Sequence, residues 1–127
     1  MRLGNHKIEM SRYTKHSIQN KIILYWTPFF LVQDYGFGFG HKPFVEAQCE
    51  VRACETTMDK SLLAYSDAVI VHMRDVNGRL PKRRYLWQKW IFYLHESPIY
   101  SPNMLPYNDV FNMTVTYRLD SDVHMPY

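Results

Sequence analysis

KWIFYL at residues 89–94, followed by HESP at 95–98, decides how this chain is read. Trp90, Ile91, Phe92, Tyr93 and Leu94 form a short, aromatic, β-favouring run, which predicts a strand over Lys89–Leu94. Pro98 has no N–H to give to a ladder and biases Ser97 away from the helical region, so the run ends in a loop. A carboxylate on a loop at the carboxyl end of a core strand stands where α/β sheets keep their ligand chemistry. Glu96 holds that position. By residue pattern alone it reads as a surface carboxylate closing a strand.

The neighbouring segments extend this pattern. Ala68–Val71 is a continuous apolar run with a polar exit, as in a buried parallel strand, and His72-Met73-Arg74-Asp75 follows at its carboxyl end. Lys21–Trp26 is a further strand, stopped by Thr27-Pro28. Val110–Tyr117 alternates, with Val110, Asn112, Thr114 and Thr116 on one face and Phe111, Met113, Val115 and Tyr117 on the other. Phe44–Val51 is expected as a short helix or strand. Thr56 or Thr57 is expected to cap a helix over Met58–Tyr65, with Leu62, Leu63 and Tyr65 on its buried face. Asn77-Gly78 marks a turn, and Ile99–Asp109, with Pro102 and Pro106, a loop. Gln33–Pro43 is also loop, where Gly36, Gly38 and Gly40 alternate with Phe37 and Phe39. Its spacing matches no phosphate-binding fingerprint, so the glycines are expected to let the loop turn while the two Phe pack. Strand and helix signals in alternation predict an α/β fold with a mainly parallel, Rossmann-like sheet and flanking helices.

Composition sets further bounds. The 127 residues have room for one domain with a real core, expected over 20–127, and ten Tyr, seven Phe and three Trp argue against disorder across the chain. The net charge of +3 is concentrated in residues 1–19 and just beyond, where Arg2, Lys7, Arg12, Lys15 and Lys21 face Glu9 alone. That segment reads as a basic lead-in or stem. A nucleic-acid arm would need aromatic interleaving, and Tyr13 stands alone there. No stretch reaches the roughly 18–20 apolar residues of a membrane-spanning helix; Ile22–Val32 is too short and is broken by Thr27-Pro28. Cys49 and Cys54 could form a small-loop disulfide, pair elsewhere or stay reduced. With only His41 nearby, they do not make a zinc site.

Several of these clusters, taken in order, resemble the α1,3-fucosyltransferases. The resemblance rests on Ser66-Asp67-Ala68-Val69-Ile70-Val71-His72, the Trp87–Leu94 strand, Glu96-Ser97-Pro98, Phe111-Asn112-Met113-Thr114, Thr116-Tyr117-Arg118, Asp120-Ser121-Asp122 and Pro126-Tyr127. It covers roughly residues 20 to 127 and is most specific in its last third. It implies the N-terminal, acceptor-side half of a two-domain GT-B glycosyltransferase that moves fucose from GDP-fucose to an N-acetylglucosamine-containing glycan. The nucleotide sugar is then a donor substrate bound mainly by a second domain, which this chain is expected to lack. No cofactor, metal or nucleic acid is implied. The expected location is the lumenal side of the Golgi membrane, through an anchor not seen in these residues. The alternative is a truncated, non-catalytic domain that binds glycan or is inert.

Inverting glycosyl transfer needs a base, because a sugar hydroxyl is a poor nucleophile at neutral pH. The resemblance assigns that role to Glu96. His72, Arg74, Asp75 and His95 are candidates for lining the acceptor cleft; His72, Arg74 and Asp75 are equally readable as strand-end packing with a local ion pair. Met73 stands where the family commonly has a second His. Asn112-Met113-Thr114 is a glycosylation sequon. Asp120 and Asp122 resemble the metal-binding pair of another glycosyltransferase architecture, but the resemblance makes them turn and interface residues.

Overall fold

The computed structural model of the chain describes residues 20–97, 107 and 109–125. The expected lead-in over 1–19, Pro98, most of the 99–109 loop and Pro126-Tyr127 lie outside the described residues.

Six strands make one wholly parallel sheet in the order β2-β1-β3-β4-β5-β6. They are β1 (Lys21–Tyr25), β2 (Cys54–Thr57), β3 (Ala68–His72), β4 (Lys89–Leu94), β5 (Met113–Thr116) and β6 (Val123–His124). The class is therefore α/β, with a Rossmann-like sheet. β4 has the bounds expected from its aromatic run, and β1 and β3 differ from expectation by one residue each.

Parallel sheets are covered on both faces, and the alternation of side chains sorts the apolar residues accordingly. Val69 and Val71 of β3 and Trp90 and Leu94 of β4 build one core with Met73 and Val76. Tyr25 and Tyr93, with Ile70 and Val115 against them, build the other around Tyr35. Leu24, Val69 and Val71 are wholly inaccessible, and each such side chain contributes on the order of 1.5–3 kcal/mol by leaving water.

Three expectations need correction. Cys54–Thr57 is a strand, so Thr56 and Thr57 cap nothing. The helix expected over Met58–Tyr65 is a 3-10 helix over Lys60–Tyr65, and Asp59 is its cap, its carboxylate accepting from the Ser61 N–H and hydroxyl. Parallel pairing to β1, from Lys21–Cys54 to Leu24–Thr57, outweighs the local capping preference. The strand expected over Val110–Tyr117 shortens to Met113–Thr116, because the Asn112 carboxamide occupies the ladder position at its start (below). Flanking helices are sparse among the described residues: one five-residue α-helix, α1 (Lys42–Glu46), and the 3-10 helices Lys60–Tyr65 and Met73–Asp75.

The glycine-rich loop covers the outer edge of β2. Gly40 and Thr56 exchange both backbone hydrogen bonds, which blunts an otherwise open edge. Gly38 has φ +110°, a region that disfavours side chains, and its carbonyl accepts from the hydroxyls of Tyr25 and Thr56. Phe37 and Phe39 pack only in part, each remaining about two-fifths exposed (42% and 43%).

Candidate functional site at the carboxyl ends of the central strands

The register pairs Val71 with Phe92 and His72 with Tyr93. The ends of β3 and β4 are therefore adjacent, and the segments after them, His72–Asp75 and His95–Glu96, meet at one corner. Glu96 lies at a bend two residues past β4, half-buried, with its Oε2 shielded from solvent. Its charge is close enough to act on the His72 imidazole.

His72 does not line an open cleft in this structure: it is fully buried. Its ring sits against Phe29, Phe30, Tyr35 and Tyr93, with centroids 4.5, 4.7, 6.3 and 6.1 Å away. Its backbone N–H donates to Thr27 Oγ1, which also bonds the Tyr35 hydroxyl. Nδ1 donates to Asp75 Oδ2 at 2.6 Å, which leaves Nε2 as the acceptor nitrogen of the neutral ring. Among the described residues, Nε2 has no hydrogen-bond partner.

Burial drives the His72 pKa below its ordinary value of 6.5, outweighing the opposing pull of the Asp75 carboxylate. The unfolded chain therefore takes up a proton that the folded one refuses. Stabilisation that is complete above about pH 6.5 should be lost as pH falls through that value toward the folded pKa. An NMR titration of the His72 ring should give a midpoint below 6.5; a midpoint above it would contradict this account of the ring's burial.

Asp75 also accepts the Phe30 N–H at 2.9 Å. Phe30 and Leu31 have φ +46° and +71°, strained for side chains of this size. One carboxylate thus holds both the imidazole and a tight turn over Phe29–Val32. Arg74 is exposed beside it.

His95 is buried, and its Nδ1 donates to the Met125 carbonyl at 2.6 Å. The Tyr93 hydroxyl donates to Met125 Sδ, and Met125 N–H donates to Thr116 O. His95 therefore ties the segment after β6 to the strand end that carries Glu96.

Asn112 is exposed, and its Oδ1 accepts from the Trp90 N–H (2.7 Å) and from Arg84 (2.6 Å), so the carboxamide starts the β4–β5 ladder. Nδ2, the atom a glycan would take, has no recorded bond among the described residues. Arg84 also donates to Val110 O and lies over the Trp90 ring, so it ties the start of β4 to the segment before β5. Asp120 makes a two-pronged pair with Arg118, and Asp122 accepts the Thr114 N–H. Both carboxylates thus serve the turn between β5 and β6. Cys49 and Cys54 are free thiols. No group of three or more His, Cys, Asp or Glu among the described residues could hold a metal, and no helix there is long and apolar enough to cross a membrane.

Comparison with known proteins accords with this arrangement. A family profile described as the N-terminal part of fucosyltransferases matches residues 18–127. The chain belongs to the α1,3-fucosyltransferase family. It is 40% identical over 86 residues to 4-galactosyl-N-acetylglucosaminide 3-alpha-L-fucosyltransferase 9 of Mus musculus and of Homo sapiens, covering 65% of this chain and 24% of each relative. It is 33% identical over 135 residues to 4-galactosyl-N-acetylglucosaminide 3-alpha-L-fucosyltransferase FUT6 of Pan troglodytes, covering 98% of this chain and 34% of that relative. This fucosyltransferase N-terminal domain thus spans about a quarter to a third of the length of those relatives.

The residues that sequence reasoning passed over are Thr27, Phe29, Phe30 and Tyr35, which enclose His72. Thr27-Pro28 is visible as a strand stop, and two Phe after it are an aromatic signal. Nothing local says that they fold back over the neighbouring strand's end.

Proposed function

We propose that this domain forms the acceptor side of an enzyme that transfers fucose from GDP-fucose to an N-acetylglucosamine-containing glycan, on the lumenal side of the Golgi. Glu96 is its general base. The observation that supports this most is the place of Glu96, at the end of a central parallel strand beside the end of β3, within the segment that matches the family. The carboxylate takes the proton of the acceptor hydroxyl as that oxygen attacks the anomeric carbon of fucose, while GDP leaves. His72, Asp75 and His95 position this corner: two buried imidazoles and one carboxylate fix the loops on either side of Glu96. The GDP-fucose site is assigned to the part of the relatives beyond the match.

The test joins residues 20–127 to the remaining chain of a fucosyltransferase 9 relative. The purified chimera is assayed for transfer from GDP-fucose to a 4-galactosyl-N-acetylglucosaminide. Transfer is expected from the chimera and none from the 127-residue polypeptide alone. A folded chimera that binds GDP-fucose yet transfers nothing, or turnover by the isolated polypeptide, would overturn the proposal.

A further inference from the structure

The turn that encloses His72 has an unfavourable sequence for its shape. Phe29 and Val32 exchange both backbone hydrogen bonds, each 2.9 Å long, so Phe30 and Leu31 are the two central residues of a tight hairpin. Both have positive φ, +46° and +71°. Two-residue hairpins with positive φ at both centres favour Asn-Gly, since few other residues hold that backbone without strain. Two bulky apolar residues stand there instead. Burial does not compensate Leu31, whose side chain is 88% exposed.

Few attachments keep this turn closed. Phe29 packs on Tyr35 and Tyr93 as well as on His72, which anchors the base of the hairpin. The tip is held more lightly. The Phe30 ring lies 4.7 Å from that of His72, and the Phe30 N–H donates to Asp75 Oδ2. Among the described residues no other hydrogen bond ties Phe30 or Leu31 to the rest of the domain. Beneath the tip, His72 Nε2 is a buried acceptor with no hydrogen-bond partner among the described residues. An unmet acceptor penalises the closed form, because water or a ligand satisfies it once the cover lifts. Strain in the turn and the unmet nitrogen below it therefore both favour opening. One carboxylate bond and one ring contact oppose it.

We infer that Phe30-Leu31 is a lid over His72, latched by Asp75, whose lifting opens the corner beside Glu96 and exposes the His72 Nε2. The lid is a property of the fold. Its role as a gate for the acceptor glycan rests on the acceptor-side reading above.

Two rates on the 127-residue protein test the lid. One is hydrogen exchange at the Phe30 amide. The other is labelling of the His72 ring by diethyl pyrocarbonate, read by peptide mass. Local opening exposes little surface, so both rates should be nearly independent of urea below the unfolding transition. Leu31→Gly relieves strain in the closed turn without removing buried packing, and should slow both rates about tenfold. Asp75→Asn weakens the latch and should quicken both about tenfold. In the chimera, Leu31→Gly should lower the acceptor kcat/KM by the factor seen in labelling, since apparent affinity falls with the fraction of open form. The KM for GDP-fucose should stay as it was. Rates that climb with urea as steeply as global unfolding would overturn the lid, as would rates that Leu31→Gly leaves unchanged or quickens. Slower labelling with an unchanged acceptor kcat/KM would overturn the gate. A chimera that transfers nothing, while Leu31→Gly still slows labelling, would overturn the acceptor reading and support the lid.

Discussion

Changing Glu96→Gln in the chimeric enzyme is expected to lower turnover by about 10²–10⁴-fold, the usual worth of a positioned general base. The amide matches the carboxylate in size and keeps an acceptor oxygen, but it cannot take the proton. Glu96 lies at a bend beyond β4 and supplies no side chain to either apolar core, so folding should survive. The KM for GDP-fucose should barely move, because the donor is assigned to the other part of the enzyme. A fall in kcat with an unchanged donor KM marks an interaction made in the transition state rather than in the ground state. Near-normal turnover in a folded Glu96→Gln enzyme would reject the base assignment. Asp75 would then be the next group to test, since His72 is enclosed and the His95 Nδ1 is engaged by Met125.

Asp75→Ala is expected to give the largest loss of stability among the site residues, about 2–3 kcal/mol. Its Oδ2 is the shared acceptor for the His72 Nδ1–H and the Phe30 N–H. Hydrogen bonds to a charged group contribute about 1.5–3 kcal/mol, and a buried donor left without an acceptor costs about 1–3 kcal/mol. His72 cannot turn to water, being fully buried. The Phe30 bond also offsets strain, since two bulky residues at positive φ cost on the order of 1–3 kcal/mol each. Urea unfolding of the 127-residue protein, with and without the substitution, measures the loss. Amide exchange at Phe30 and His72 should quicken together. A change below about 0.5 kcal/mol would mean that Asp75 does not hold this corner.

The strands were legible because their signal is local. A run of β-branched and aromatic residues closed by Pro or by a charged exit identifies Lys89–Leu94, Ala68–His72 and Lys21–Tyr25 with at most one residue of error. Cys54–Thr57 was not legible. It is short, mostly polar, and owes its extended form to β1 on one side and to Gly40 on the other. The turn signal at Asn77-Gly78 was clear, whereas its consequence, the Arg79 carbonyl accepting from the Trp26 indole, is a bond between residues far apart in sequence. His95 shows the same limit. Its sequence neighbour is Glu96, yet its ring is directed to the carbonyl of Met125.

The sequence by itself determined the class of the fold, the position of Glu96 at a strand end, and the family through motifs kept in order along the chain. Hydrophobic runs and chain-breaking residues act over a few positions, so they can be read without a partner. The tertiary structure decided the strand order, the enclosure of His72 and the double duty of Asp75. Each of these joins residues that parallel pairing and crossover loops bring together, and their strength comes from burial, which does not exist until the sheet has formed.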